Sequence, residues 1–192
     1  MLSTPMTDIQ TLPLIDVAPL VAGAPERDRV AAQIGAACRA HGFFYATGHG
    51  IGAALVQRLE GLGHRFFELP EETKMQWRMA LGGRAWRGYF PLGGELTSGR
   101  PDWKEGLYLG TELPATHPLV QARTPVHGPN LFPDVPEFRE TILDYMTAVT
   151  QLGHRLMEGI ALSLGLPATY FAERYTADPL VLFRLFNYPS QP

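Results

Sequence analysis

The sequence is poor in features that several protein classes require. Cys38 is the only cysteine among 192 residues, which excludes an internal disulfide and a thiolate metal site and is compatible with a reducing compartment. The formal net charge of −3 gives no basic surface for nucleic acid or an anionic membrane. No uninterrupted apolar stretch reaches the roughly 18 residues that a membrane span requires. The first expectation is therefore a globular, cytoplasmic protein that acts on small molecules.

Several catalytic motifs are also missing. None of the six histidines has an acidic residue two positions later, and neither H-E-x-x-H nor the nucleophile pattern G-x-S-x-G occurs. We therefore expect no metal ligands and no catalytic residues within this chain. The helical spacing around Cys38 predicts that this thiol is a small core side chain and not a nucleophile.

Hydrophobic periodicity predicts a mixture of helices and strands. Helices are expected over residues 25–40, around an apolar stripe from Leu55 to Phe66, and over 69–79, 137–164 and 167–175. Apolar runs predict strands within 12–20, 43–47, 85–90 and 106–110, and a last strand that begins near Leu180. The stretch from 81 to 135 is punctuated by glycine and proline, and loops of that length are commonly functional.

The turn that follows the second predicted strand contains three residues that match a dinucleotide-binding fingerprint. Gly48, Gly50 and Ala53 follow the pattern G-x-G-x-x-G/A between an apparent strand and an apparent helix. That fold requires a second strand that ends in an acidic residue about 20 positions later. The segment that begins at Pro70 is predicted to be a helix instead, which favours a tight structural turn at these glycines.

The polar and aromatic segment 84–110 is the first candidate for a ligand pocket. Arg87 and Tyr89 are suited either to bind a ligand carboxylate in a pocket with aromatic walls or to stabilise the fold without contacting a ligand. Asp102, Lys104 and Glu105 are interpreted first as surface ion pairs or turn caps, which contribute little energy.

The last predicted strand is the second candidate. Its period-two alternation places four side chains on one face: Leu182, Arg184, Phe186 and Tyr188. A cation in so apolar a strand requires a partner, because an unpaired buried charge is costly. The partner of Arg184 is either a structural carboxylate or an anionic ligand that also contacts the Tyr188 hydroxyl.

Seven segments, by their order and approximate spacing, carry a resemblance to a known protein family. They are LPLIDVAPL (12–20), GFFYATGHGI (42–51), FFELPEETK (66–74), RGYFPLGGE (87–95), PDWKEGLYLG (101–110), HGPNLFP (127–133) and FRLFNYP (183–189). Together they resemble the N-terminal half of the isopenicillin N synthase-like family of Fe(II)- and 2-oxoglutarate-dependent oxygenases. The resemblance covers nearly the whole chain. It also accounts for the glycine pattern, since the family carries a similar turn that binds no dinucleotide.

The resemblance implies an α+β fold. The expected architecture is a double-stranded β-helix, or jelly roll, incomplete in this chain, with an α/β N-terminal region and a long buttressing helix. Residues 1–120 are expected to form the non-haem dioxygenase N-terminal region. Residues 121–192 are expected to form the long helix and the first strand of a truncated jelly roll.

The resemblance also implies Fe(II) and 2-oxoglutarate as cofactors, with O2 and a small-molecule substrate. In the family, His-x-Asp and a distal His hold the iron and Arg-x-Ser binds 2-oxoglutarate; all are expected beyond Pro192. By position, Arg184 and Tyr188 match cofactor-binding side chains, and Arg87 and Tyr89 match a region that borders the substrate. Phe186 stands where the family frequently has an asparagine.

Three functions are therefore expected, in decreasing order. The first is the N-terminal part of an oxygenase, which as given binds no Fe(II) with family affinity and is inactive alone. The second is a complete non-catalytic binding or scaffold module. The third is a dinucleotide-binding protein that uses Gly48, Gly50 and Ala53.

Overall fold

The structure, a computed structural model, describes residues 11–190. Its packing divides the chain into two compact units. The first takes in the chain up to Ile51 together with Val149–Pro179, and the second takes in Gly52–Ala148 together with the chain from Leu180 onward. Each unit is thus built from two separate stretches, so the division differs from a boundary at residue 120. The assignment of 1–120 and 121–192 to two family regions stays a prediction.

The first unit contains two parallel strands and their helices. β1 (Leu14–Asp16) pairs with β2 (Tyr45–Thr47), and α1 (Ala18–Val21) and α2 (Arg27–Ala40) connect them. The part of α6 (Phe138–Ser163) that follows Ala148 also belongs here. So does a π-helical turn, Ala172–Thr176, which overlaps the end of the helix predicted over 167–175. The first strand is shorter than the predicted run 12–20, because Pro19 starts the first turn of α1.

The core of the first unit lies between β1, α1, α2 and α6. Its most buried side chains are Val17, Leu20, Val30 and Ile34, and α6 adds Leu152, Leu156 and Ile160. Cys38 is exposed, so the prediction that it is a core residue is wrong. The buried stripe of α2 runs through Val30, Ile34 and Ala37, and the next position along the helix already faces outward.

The glycine pattern after β2 has a structural cause. Gly48 has a φ of +64°, and a Cβ there would lie 2.1 Å from Asp16 Oδ1. His49 Nδ1 accepts a hydrogen bond from the Ile51 N–H at 3.1 Å, which closes the turn. A helix follows at Ala53, and another begins at Glu71. The second strand that a dinucleotide fold requires is therefore absent at its expected position, as the sequence indicates.

The second unit contains the remaining elements. They are α3 (Ala53–Phe67), α4 (Glu71–Lys74), β3 (Gly88–Phe90), β4 (Leu96–Thr97), β5 (Arg100–Pro101), β6 (Glu105–Gly110), α5 (Pro118–Gln121), the first part of α6, and β7 (Leu182–Asn187). The helix predicted over 69–79 is wrong beyond Lys74, where 3-10 turns follow. The chain becomes extended at Arg78, which forms a bridge with Tyr89 of β3.

An antiparallel sheet with the order β3–β6–β7 forms the centre of the second unit. One face packs into an apolar core with α3 and α6, which contains Leu62, Phe66, Leu107, Leu109, Phe138 and Ile142. Each of these buried side chains contributes about 1.5–3 kcal/mol of transfer free energy. Val181, Phe183 and Leu185 of β7 pack on the same core. Within the described residues, no helix is long and apolar enough to cross a membrane.

Two glycines of α6 offer a matched test of packing in the first unit. A Cβ on Gly153 would contact nothing within 4 Å, whereas a Cβ on Gly159 would lie 2.8 Å from a Leu20 methyl and 3.1 Å from Ile34 Cδ1. Gly153→Ala should raise the free energy of unfolding by up to about 1 kcal/mol through helix propensity. Gly159→Ala should lower it by about 1–2 kcal/mol through overpacking. Urea denaturation measures both, and equal effects would contradict this description of the core.

Candidate functional site

Arg184 of β7 lies on the face of the sheet opposite the core, and Tyr188 follows directly after the end of this strand. Phe183 and Leu185 pack into the core, so the alternate side chains point the other way. Arg184 is exposed, and Tyr188 keeps 65% of its accessible surface. The expectation that Arg184 is buried is therefore wrong, and its contact with an anionic ligand stays a prediction. Both residues are available to a ligand within the second unit.

Arg184 is held in place by aromatic neighbours. Its guanidinium carbon lies 5.5 Å from the Tyr108 ring centroid and 5.4 Å from that of Phe186. Its Nη1 donates to the Tyr108 hydroxyl at 3.5 Å, and Tyr108 donates in turn to Glu95. None of the ion pairs among the described residues involves Arg184. The guanidinium therefore keeps N–H donors for an anion.

The ionisation states of this face follow from the same contacts. The hydrogen bond to Tyr108 raises the pKa of Arg184 above its already high value. Burial raises the pKa of Tyr108, and its hydrogen bond to Glu95 raises it further. Arg184 is therefore a cation and Tyr108 a neutral phenol at neutral pH.

The segment before β6 is tied to this face by Lys104. Its ammonium bonds to Asp102 at 2.9 Å and to Glu95 at 3.2 Å, and it lies 4.8 Å from the Phe186 ring centroid. The interpretation of Asp102 and Lys104 as an ion pair is confirmed. The hydrogen bond to Asp102 raises the pKa of Lys104.

Tyr188 is positioned through its neighbours in sequence. On one side Asn187 donates to Glu105 at 2.9 Å, and on the other the Pro189 carbonyl accepts from Trp103 Nε1 at 3.1 Å. The Tyr188 ring lies edge-on to Phe186 with centroids 6.2 Å apart. The backbone around Tyr188 is thus held while the side chain remains exposed.

A buried carboxylate on β6 organises the other side of the sheet. Glu105 accepts hydrogen bonds from Lys74 Nζ at 2.6 Å, Tyr89 Oη at 2.5 Å and Asn187 Nδ2 at 2.9 Å. Lys74 also donates to the Phe67 carbonyl at 2.9 Å. These four side chains are called the Glu105 cluster: Lys74, Tyr89, Glu105 and Asn187. The interpretation of Glu105 as a surface residue is wrong, because it is only 7% exposed.

The cluster shifts two pKa values, and the shift of Glu105 stabilises the folded chain at neutral pH. Burial by itself raises the pKa of Glu105, but the hydrogen bonds from Lys74, Tyr89 and Asn187 outweigh it and hold that pKa below the usual range. Burial raises the pKa of Tyr89, and the hydrogen bond to Glu105 raises it further. At neutral pH Glu105 is therefore a carboxylate and Tyr89 a neutral phenol.

Arg87 lies inside the second unit and contacts backbone carbonyls. It is 1% exposed, and it donates to the Ala85 carbonyl at 2.8 Å and to the Val126 carbonyl at 3.2 Å. Its Nε has no partner among the described residues. Burial lowers the pKa of Arg87, while the charge of Glu112 opposes that change. The assignment of Arg87 and Tyr89 to the substrate stays a prediction.

Sequence reasoning missed Lys74 and Tyr108 and misplaced Glu105. A signal for Glu105 was present, because alternation along EGLYLG puts it on the same face as Leu107 and Leu109. An acidic residue at a core-facing strand position requires a buried donor. The sequence alone does not identify that donor, since Lys74 is 31 positions away.

No group of three or more His, Cys, Asp or Glu side chains within residues 11–190 is arranged to hold a metal ion. The donors that the described residues supply for iron therefore do not fit an Fe(II) site. The exposed Arg184 guanidinium has the N–H donors that a carboxylate binds.

Glu105→Gln should lower the free energy of unfolding by about 3–5 kcal/mol at neutral pH, because Lys74 then loses its buried ionic partner. The folded-state pKa of Glu105 is depressed, so its contribution is present above the unfolded-state value of about 4.3 and is lost as pH falls through the folded value. The difference from wild type should therefore narrow below about pH 4.

The measurement is urea denaturation at several pH values, with Glu72→Gln as the control on the exposed first turn of α4. The control should change stability by no more than about 0.5 kcal/mol. If the difference in free energy of unfolding between the wild type and Glu105→Gln stays constant from pH 7 to pH 3, Glu105 is not paired as described.

Comparison with known proteins places these observations in a family. Residues 12–135 match the family described as non-haem dioxygenase in morphine synthesis N-terminal. A probable iron/ascorbate oxidoreductase of Dictyostelium discoideum is 53% identical over 193 residues, which cover 95% of this chain and 53% of that protein. A 1-aminocyclopropane-1-carboxylate oxidase of the same organism is 37% identical and is covered over 50% of its length.

A solved structure agrees with these sequence relatives. The 2OG-Fe(II) oxygenase family protein from Caulobacter crescentus superposes with a TM-score of 0.79 at 26% identity, covering 95% of this chain and 57% of that one. The chain spans about half the length of the curated relatives that it matches. The chain belongs to the Fe(II)- and 2-oxoglutarate-dependent oxygenase family, and its residues 12–135 form the non-haem dioxygenase N-terminal region.

Proposed function

We propose that this protein is an oxidoreductase that uses Fe(II), 2-oxoglutarate and O2 to oxidise a small molecule, and that Arg184 and Tyr188 contact the 2-oxoglutarate. The observation that carries the proposal is the exposed guanidinium on β7, which is held against two rings and has no carboxylate partner within the described residues. 2-Oxoglutarate carries two carboxylates, the groups that a guanidinium fork binds in bidentate fashion.

The roles of this chain's residues follow from their positions. Arg184 would neutralise one carboxylate, and the Tyr188 hydroxyl would donate to a second oxygen on the same face. Tyr108 would hold Arg184 through its hydroxyl and ring. Bound together, Fe(II) and 2-oxoglutarate would activate O2 as the oxidant of the substrate. The iron would be held by groups other than those described, so we expect residues 11–190 alone to lack iron-dependent activity.

Arg87 and Tyr89 receive a supporting role in this proposal. Both are 1% exposed. Arg87 donates to backbone carbonyls of Ala85 and Val126, and Tyr89 donates to Glu105. We propose that they shape the region that borders the substrate from within and do not touch the substrate directly. The jelly roll to which β3, β6 and β7 would belong, and a cytoplasmic location, are parts of the same proposal.

A second candidate replaces 2-oxoglutarate with ascorbate. The relative with 53% identity carries the name of an iron/ascorbate oxidoreductase. Ascorbate is also an anion with several oxygen acceptors, so the same arginine would suit it. The two candidates differ in which anion the Arg184 face prefers.

Calorimetric titration with 2-oxoglutarate and with ascorbate tests both candidates. Arg184→Met should weaken 2-oxoglutarate binding at least about tenfold, because a charged hydrogen bond is worth roughly 1.5–3 kcal/mol. Tyr188→Phe should weaken it by about fivefold, since one neutral donor is lost. Arg174 is the matched control, an exposed arginine whose guanidinium lies 4.4 Å from the Tyr170 ring centroid in the first unit.

Arg174→Met should leave the affinity unchanged. Equal losses in Arg184→Met and Arg174→Met, or no 2-oxoglutarate binding by the wild type, would contradict the 2-oxoglutarate proposal. Ascorbate binding that depends on Arg184 when 2-oxoglutarate does not bind would favour the second candidate.

A further inference from the structure

The register of β7 is weakly specified by its apolar residues. Its side chains are apolar on both faces apart from Arg184 and Asn187, so a shifted strand would still bury apolar groups. Among the described strands, β7 pairs only with β6, over the residues from Glu105–Asn187 to Gly110–Leu182. Polar contacts must therefore select one register.

The two ends of the β6–β7 pair supply these contacts. At one end Asn187 faces Glu105 directly and donates to its Oε1 at 2.9 Å. At the other end the Val181 N–H donates to Thr111 Oγ1 at 2.8 Å, and the Thr111 N–H donates to the Val181 carbonyl at 3.0 Å. Of the contacts at the two ends, only the first depends on a side chain of β7. Between them, Arg184 Nη1 makes a long hydrogen bond of 3.5 Å to the Tyr108 hydroxyl.

The Glu105 end cannot adapt to a shifted strand at low cost. Lys74 and Glu105 are 5% and 7% exposed, and α4 and β3 hold the carboxylate from their own side. A shift by two residues would place Leu185 or Pro189 opposite Glu105, and neither side chain can donate a hydrogen bond. A shift by one residue would turn Arg184 toward the apolar core.

We propose that Glu105 is a positioning residue for Arg184 and Tyr188: anchored by Lys74, it selects the register of β7 through Asn187. A shift by two residues would move Arg184 about 6.8 Å along the strand, away from Tyr108. Glu105 touches no ligand in this arrangement, and it acts through the strand. The link to binding rests on the proposed function of Arg184 and Tyr188, whereas the link to register does not.

Moving the donor by two residues tests the proposal. In the double variant Leu185→Asn with Asn187→Leu, the amide lies two positions earlier, so β7 should shift to bring it opposite Glu105. Cross-strand contacts between backbone α-protons, measured by NMR, report the register. In the wild type Arg184 faces Tyr108, and in the double variant residue 184 should face Gly106. Retention of the wild-type pairing would overturn the proposal.

Tyr89→Phe is the matched control, because it removes a donor from Glu105 but leaves Asn187 in place. It should lower stability and keep the wild-type cross-strand contacts. If the double variant does not fold, Asn187→Leu alone decides the matter. It should weaken the native contacts of β7 and speed amide exchange along the strand, and native contacts of unchanged intensity would overturn the proposal.

Titration with 2-oxoglutarate separates the two levels of inference. The double variant should lose at least about tenfold in affinity, and Glu72→Gln, on the exposed first turn of α4, should lose less than about twofold. A shifted register with no 2-oxoglutarate binding even in the wild type would leave Glu105 as a register residue and remove the proposed function. If the wild type binds 2-oxoglutarate but the double variant keeps the wild-type register, the proposed function stands and Glu105 loses its role as a register residue.

Discussion

The buried pair of Lys74 and Glu105 is the interaction on which the second unit depends. An ion pair with side chains this deeply buried is stable only when hydrogen bonds satisfy its remaining polar atoms. Tyr89, Asn187 and the Phe67 carbonyl provide those bonds, so α4, β3, β6 and β7 must all be in place at once. A strand of low intrinsic specificity thereby acquires a defined position.

The two faces of the β3–β6–β7 sheet differ in role: one stabilises the fold, and the other is open to a ligand. Its core face contains aliphatic and aromatic side chains, and burial of those groups stabilises the fold. Its other face offers a cation, Arg184, that is neither buried nor paired with a carboxylate among the described residues. The aromatic neighbours limit the motion of the guanidinium without neutralising it. Such an arrangement suits recognition of an anionic small molecule, in keeping with the oxygenase family to which the chain belongs.

The hydrophobic periodicity of the sequence predicts the helices and strands whose apolar residues follow one regular spacing along their whole length. α2, α3 and α6 carry long apolar stripes, and β6 and β7 carry continuous apolar runs, so their positions follow from the sequence. The end of α4 did not, because Arg78 is drawn into a bridge with Tyr89. Cys38 was misassigned because the apolar stripe of α2 is narrow. The Glu105 cluster joins residues 31 and 82 positions apart, and periodicity contains no information at that distance.

The central claim is that Arg184 and Tyr188 form one anion-binding face. NMR of protein labelled with ¹⁵N at arginine tests it most directly, through the Nε–Hε resonances during titration with 2-oxoglutarate. The account predicts that the Arg184 resonance shifts and saturates together with the ring signals of Tyr188, while the Arg174 resonance does not move. Saturable shifts at other arginines with Arg184 unchanged would contradict it.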